Sequence, residues 1–432
     1  MKDAAAYAQK VAAFKASSLF LLLDADSRTL IERLAEQYRF TLQELYFLVE
    51  AARDLKQWQE SELQELWSAA VQSLPTLEDK RTEKRQALDR LKGELSALRR
   101  KAKIYPTAGL PPPLRPQLES EERADLALVL GSCPVYSERT NCCGLKTLDV
   151  VENCSFNCSY CSIQTFYGDK IVFHKDLPRK LAKLNLDPKR CYHIGVGQSS
   201  DALAWGNRNG LLDALTDFAA GHPRVLLELK SKSAAVDYFL NHRVPSNLVC
   251  SWTLNSQTIA QNEEHFAAPV TARLEAARQA AGAGVKVAFH FHPLVYYHNW
   301  EADYREVTNQ LLATIDSVNV LFLSLGTVTL IKPVLKAIRE RGAPTKISQM
   351  ELVPDPHGRL TYPDTTKVTL YRALLEALAP WREKVFMYLC MEKASIWEEV
   401  FGRSYQNNAL FEKALLTSAF LKTGTGACFE EE

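Results

Sequence analysis

The chain reads as an α/β protein, parallel β/α units closed or partly closed into a barrel behind an N-terminal extension that is all helical. Three observations predict this. Residues 1–104 carry apolar side chains at helical spacing almost without a break. A proline-rich stretch, 105–113, then interrupts the pattern. From about residue 120 onward, short β-branched apolar runs alternate with helix-period segments.

Within the extension, residues 1–20 form an alanine-rich amphipathic helix without the basic start, long apolar stretch or cleavage site of a secretory signal. Leu30-Ile31-Glu32-Arg33-Leu34-Ala35 and Leu42-Gln43-Glu44-Leu45-Tyr46-Phe47-Leu48-Val49 repeat the i, i+3, i+4 spacing, with Asp26-Ser27 and Thr41 as N-caps. Residues 76–103 are charged and heptad-like. Leu88, Leu91, Leu95 and Leu98 share one stripe, beside Lys80, Arg81, Lys84, Arg85, Arg99, Arg100, Lys101 and Lys103. A turn at Tyr38-Arg39-Phe40-Thr41 between two helices admits a helix-turn-helix that touches phosphates. A helical bundle with a solvated basic face explains the same residues, and the turn has no glycine.

The expected division is a helical extension over 1–104, a Pro-rich linker over 105–124, a catalytic barrel over 125–400, and a helical segment with a tail over 401–432. Strands are expected at 145–151, 192–196, 225–229, 248–254, 285–291 and 320–325, with 350–353 a further candidate. Helices are expected at 209–220 and 270–283. In such barrels the chemistry sits on the loops that leave the strand ends. No repeat of fixed period stands out.

At 432 residues the chain exceeds one ordinary core, and its net charge of +1 neither demands nor excludes nucleic acid. No apolar run is long and charge-free enough to span a membrane, so a cytoplasmic protein is expected. That compartment keeps thiols reduced, which argues against a disulfide framework for the ten cysteines. Six of them crowd between Cys133 and Cys161, which favours metal or redox chemistry.

Cys154-Ser155-Phe156-Asn157-Cys158-Ser159-Tyr160-Cys161 directly follows the first barrel strand. Three thiolates at C-x3-C-x2-C spacing on one tight loop can ligate three irons of a cubane and leave the fourth open. A zinc site would want a fourth protein ligand at similar short spacing, and no His or Cys follows just downstream.

This loop resembles the cluster loop of the radical S-adenosylmethionine (SAM) superfamily, and the chain order after it is similar to the spore photoproduct lyase family. The residues that carry the resemblance begin with Cys158-Ser159-Tyr160-Cys161-Ser162-Ile163-Gln164-Thr165 and Ser199-Ser200-Asp201. Glu228-Leu229-Lys230-Ser231-Lys232-Ser233 and Ser251-Trp252-Thr253-Leu254-Asn255 follow. Arg273-Leu274-Glu275-Ala276-Ala277, then Pro293 through Trp300, Glu301 and Tyr304, complete the set. It covers about residues 125–400.

The resemblance implies a partial (β/α)6-type radical SAM barrel and a [4Fe–4S] cluster on Cys154, Cys158 and Cys161. It implies SAM as cofactor and an electron donor such as flavodoxin or ferredoxin. It also implies a lyase that reverses a thymine photoproduct in DNA through a 5′-deoxyadenosyl radical. By position, Tyr160, Ser200, Asp201, Lys232, Thr253 and Asn255 would lie against SAM. Bland readings stand beside these: a solvated lysine at Lys232, and an Asx or Ser turn at Ser200-Asp201.

The chain departs from the family at Gln198, where the lyases proper carry a cysteine that returns a hydrogen atom to the product. An amide N–H bond is too strong for that task. Cys191 lies seven residues back, about 23 Å along a strand. Ser162 stands where a second tyrosine is expected. Cys133, Cys142 and Cys143 add a further departure, as a redox or metal site, an alternative hydrogen donor, or buried small side chains. A second cluster would need a fourth ligand that the sequence does not single out.

His290 and His292 share one strand face and would meet the substrate if that face is the barrel interior. Tyr296, Tyr297 and Trp300 would either stack on a base or fill the barrel rim. Three readings remain open: lesion repair, a radical SAM enzyme of the same family with another substrate, or an iron–sulfur nucleic-acid-binding or redox-sensing protein.

Overall fold

The computed structural model describes residues 2–75, 79–115, 117–134, 136–166, 168–425 and 428. They fall into two units, Met1–Pro113 with Lys332–Glu351, and Leu114–Ile331 with Leu352–Glu432.

In the first unit, helices run over Lys2–Lys15, Ser18–Leu21, Ala25–Tyr38, Leu42–Gln57, Leu63–Gln72 and Lys80–Arg100. Residue 1 and residues 76–78, which belong to the expected helical stretches, lie outside the described residues. The cap of the second long helix is Asp24 rather than Asp26-Ser27, its carboxylate accepting the Ser27 N–H at 2.8 Å. Thr41 caps as expected, in a capping box with Glu44. Between them Arg39 takes a left-handed conformation (φ 49°), so the turn closes without glycine and drops Phe40 fully into the core.

Leu88, Leu91 and Leu95 are buried in the bundle and Leu98 packs against it. Part of the basic face is used inside this unit. Lys84 pairs with Glu44 at 3.1 Å and Arg99 with the buried Asp54 at 3.0 Å.

The segment Lys332–Glu351 joins this bundle from far along the chain. Its helix, Lys332–Arg341, buries Val334 and Ile338. Gln57 Nε2 donates to the carbonyls of Ile338 and Ala343, and Trp58 Nε1 to Ser348 Oγ. Arg339 reaches Asp54 at 2.9 Å, so one carboxylate holds two cations.

The second unit is built on an eight-stranded sheet: β1 Leu130–Ser132, β2 Lys146–Leu148, β3 Tyr192–Val196, β4 Val225–Ser231, β5 Leu248–Leu254, β6 Lys286–Leu294, β7 Val320–Thr327 and β8 Phe386–Leu389. Spatial order follows chain order, β8 to β1. Every neighbouring pair is parallel except β1 and β2. Such winding in one direction gives a curled half-barrel, as expected. Strands β3, β5 and β7 are buried along their whole length, which is why they read as unbroken apolar runs rather than alternating ones.

Two elements differ from expectation. The last strand of the sheet is Phe386–Leu389. The candidate at 350–353 contributes only Val353, in the short strand Val353–Pro354 that pairs with Leu360–Thr361. The Pro-rich stretch ends in a strand, Glu119–Arg123, parallel to Lys170–His174, which pairs in turn with Val151–Glu152.

Helices Leu211–Gly221, Val270–Gly282, Trp300–Thr314 and Asp364–Ala377 lie between the strands, and Asn408–Thr423 follows the last. The tail residues 426, 427 and 429–432 lie outside the described residues. Cys191 and Cys428 form a disulfide with their Cα atoms 5.9 Å apart, so the cysteines are not all the free thiols that a reducing compartment implies. Among the described residues, no helix is long and apolar enough to cross a membrane.

Candidate active site

Because β2 to β8 are parallel, the loops leaving their C-terminal ends converge on one side of the sheet. There they enclose a cavity of about 270 Å³. The cysteine triplet forms part of its wall, and none of the three is in a disulfide.

The loop is fixed at both ends. Asn157–Cys158 pairs antiparallel with Glu264–His265, and the Ser159 N–H donates to the Glu263 carbonyl at 2.8 Å. Ahead of Cys154, Asn153 adopts a left-handed φ of 68° and its side chain accepts the Gly168 N–H at 2.9 Å. The Asn153 carbonyl takes the Ser200 hydroxyl at 2.6 Å, which ties the triplet to the loop after β3.

Burial pushes the Cys154 thiol well above its usual range and the Cys158 thiol up to about 11. A nearby cation opposes this at Cys158. Lys232 Nζ stands 3.8 Å from its sulfur and 5.1 Å over the Tyr160 ring. Burial disfavours the Lys232 charge, yet Cys158 and Glu264 outweigh burial and raise its pKa, so the ammonium is kept.

Tyr160, Ser200, Asp201, Lys232 and Thr253 all line the cavity. Asp201 is a brace. One oxygen accepts from Ser231 Oγ and from the N–H groups of Leu203 and Ala204, and the other takes the Lys232 N–H at 2.6 Å. Its carboxylate therefore sets where the Lys232 side chain starts. Asn255 lies behind the wall, fully buried, donating to the Pro293 carbonyl and accepting from Tyr304 at 2.6 Å.

Glu264 was not singled out by the sequence and organises this region. It accepts the Tyr160 hydroxyl and pairs with the buried Arg273 at 2.5 Å. A lone glutamate at a helix end carries no motif; only the Arg273 segment hinted at a partner.

His290 and His292 both face the cavity, with Lys230 beside them. The fully buried Glu228 accepts from Ser251, from His193 at 2.8 Å and from His290 at 2.5 Å. Burial alone would raise its pKa, but these partners and Lys230 hold Glu228 ionised. Burial and Lys230 bring His290 down to about 4, so the imidazole is a neutral donor at pH 7. Tyr297 is core, its hydroxyl bonded to Ser256 and Asp303, and neither it, Tyr296 nor Trp300 lines the cavity.

Gln198 does line the cavity, as do Ser162 and the further cysteines Cys133, Cys142 and Cys143. Cys390, just past β8, joins them. A hydrogen bond with Cys143 leads in lowering Cys142 to about 6, and with burial it raises Cys143.

The donor set suits a cubane and SAM: three thiols on one loop, none in a disulfide, one half-buried cation beside them, and hydrogen-bonding side chains around one cavity.

A family model described as Spore photoproduct lyase matches residues 144–353. The spore photoproduct lyase of Geobacillus sp. (strain Y412MC61) is 24% identical over 208 residues, which are 46% of this chain and 61% of the relative. The chain thus spans less than two thirds of the curated relative it matches. Solved structures of similar fold include a spore photoproduct lyase double mutant with bound AdoMet and dinucleoside spore photoproduct. Its TM-score is 0.54 at 20% identity, over 62% of this chain and 82% of that one. Another is a spore photoproduct lyase complexed with dinucleoside spore photoproduct, with a TM-score of 0.53 at 19% identity and the same coverage. The resemblance drawn from the sequence and the fold it implied are both borne out.

Proposed function

We propose that this chain is a radical SAM enzyme with a [4Fe–4S] cluster on Cys154, Cys158 and Cys161, and that it reverses a thymine photoproduct in DNA. One observation carries the reading: the three thiols of the triplet, none of them in a disulfide, share a cavity with Tyr160, Ser200, Asp201, Lys232 and Thr253 at the carboxyl ends of parallel strands. The bound cluster and SAM supply 5′-deoxyadenosyl radical chemistry at this site. The chain's own part is positioning. Lys232 offers an ammonium to a carboxylate, Tyr160 a ring face, and Thr253 and Ser200 hydroxyls. Asp201 fixes the Lys232 backbone, and Glu264 fixes Tyr160. A cytoplasmic setting and a flavodoxin or ferredoxin donor complete the reading.

A second reading is favoured by Gln198, which lines the cavity where the lyases proper carry their hydrogen-donating cysteine. Under it the same SAM chemistry serves another substrate, and the polar floor of Glu228, Lys230, His290 and His292 meets a more polar molecule than a thymine pair.

The test is anaerobic turnover of the reconstituted, dithionite-reduced chain with SAM and an oligonucleotide carrying the spore photoproduct. Mass spectrometry follows 5′-deoxyadenosine and thymine. Both rising together supports repair. Only 5′-deoxyadenosine supports the second reading. Neither rising overturns both and leaves a nucleic-acid-binding or redox-sensing role.

A further inference from the structure

Seven of the ten cysteines line one cavity. Three form the triplet. The other four arrive on separate segments: Cys133 after β1, Cys142 and Cys143 ahead of β2, and Cys390 after β8.

Their backbones are pinned. The Cys133 N–H donates to Leu145 O at 3.1 Å, the Cys142 N–H to Asn408 Oδ1 at 2.9 Å, and the Cys390 N–H to Leu325 O at 2.7 Å. An antiparallel bridge between Asn141 and Glu392, with the Asn141 N–H on the Glu392 carbonyl at 2.9 Å, clamps the two outer segments together.

Cys250 shows what a structural thiol looks like here: fully buried in β5, away from the cavity, with burial alone acting on it. Cys133 and Cys390 are only half-buried and face the cavity instead.

We propose that Cys133, Cys142, Cys143 and Cys390 bind an iron–sulfur cluster of their own, a second centre in the cavity that holds the cysteine triplet. Four thiolates are a soft donor set, suited to iron–sulfur, zinc or cuprous copper. Among these, the shared cavity with a triplet read as iron ligands favours iron–sulfur. With four protein ligands no iron stays open, so this centre complements the triplet's open one rather than duplicating it. Cys390 is the fourth ligand that the sequence could not supply.

The inference goes beyond the SAM reading and is tested apart from it. The full chain is reconstituted anaerobically with ferrous iron and sulfide, and iron and acid-labile sulfide are counted. The wild type should hold about eight irons, two cubanes. The C154A/C158A/C161A variant should keep about four with matching sulfide. Cys390→Ala, with the triplet intact, should fall to about four, and Cys250→Ala should change nothing. A wild type holding about four irons, unaltered by Cys390→Ala, overturns the proposal whether or not the triple variant folds. Zinc without sulfide at these thiols also overturns it. SAM cleavage is read in the same samples. Cleavage with one cluster sinks this inference alone, and two clusters without cleavage sink the SAM reading alone.

Discussion

Lys232 Nζ and Cys158 Sγ stand 3.8 Å apart, a half-buried ammonium beside a ligand-type thiol. Burial alone would lower the Lys232 pKa, but the Cys158 sulfur and the Glu264 carboxylate raise it, so the ammonium is kept. In the proposed reaction it faces the SAM carboxylate. Lys232→Met keeps the stem and removes the charge. A hydrogen bond to a charged group contributes about 1.5–3 kcal/mol, so SAM affinity should drop roughly 10- to 100-fold. Iron bound by the triplet should stay constant, because the lysine ligates nothing. Calorimetric titration of reconstituted protein with SAM reads the first quantity and an iron assay the second.

The barrel floor makes stability fall with acid. His290 is lowered from 6.5 to about 4, by burial first and then by Lys230, with Glu228 opposing and His193 adding to the effect. Between those two values the unfolded chain binds a proton that the folded chain does not, so stability is lost as pH falls through that window. At pH 5 the loss is about 2 kcal/mol. His290→Gln keeps an N–H donor for Glu228 and removes the titration. Its thermal midpoint should fall less between pH 7 and pH 5 than that of the wild type, by calorimetry at both values.

The buried strands and the triplet were legible because each is a local signal. Strands covered on both faces leave unbroken apolar runs, and three cysteines within eight residues announce one loop. What stayed hidden is long-range. Phe386–Leu389 is a four-residue edge strand after Trp381-Arg382-Glu383-Lys384, too short and too flanked by charge to stand out. Cys390 could not be grouped with Cys142 and Cys143 until the Asn141–Glu392 bridge brought their segments together. Asn255 sits at a strand end, where spacing suggests a contact with the cofactor, but spacing cannot tell a residue in the wall from one behind it. Asp201 shows the reverse: the turn was readable, and its hold on the Lys232 N–H was not.

Asp54 shows the same limit in the helical unit and yields a prediction. Its carboxylate, almost wholly buried, meets Arg99 at 3.0 Å and Arg339 at 2.9 Å, two cations far apart in sequence. Asp54→Asn leaves behind two arginines that water still reaches, so the cost is nearer about 1 kcal/mol than the ~3–5 kcal/mol of a fully buried pair. Asp54→Asn should therefore loosen Lys80–Arg100 and Lys332–Arg341 together. Hydrogen exchange should show both helices losing protection by similar factors. Loss in one alone would mean that the two cations do not depend on a shared anion.

Gly197 fixes the loop that carries Gln198, Ser200 and Asp201. Its φ is +97°, and a Cβ there would meet the Lys230 carbonyl oxygen at 2.7 Å and the Ala202 nitrogen at 3.0 Å. Both obstacles are backbone, so neither can swing aside, and the Ala202 N–H also donates to that same carbonyl at 3.1 Å. A side chain here must therefore push β3's loop away from the end of β4. Strain of this kind costs about 1–3 kcal/mol. Gly197→Ala should lower the melting temperature by roughly 2–4 °C per kcal/mol. The shift also carries Asp201 away from the Lys232 N–H, which it holds at 2.6 Å, so the ammonium loses its setting beside Cys158. SAM affinity should fall along with stability in Gly197→Ala, whereas Gly221→Ala, at a helix end with open space around its Cβ, should disturb neither. If Gly197→Ala melts early but binds SAM normally, the loop's backbone does not set the lysine.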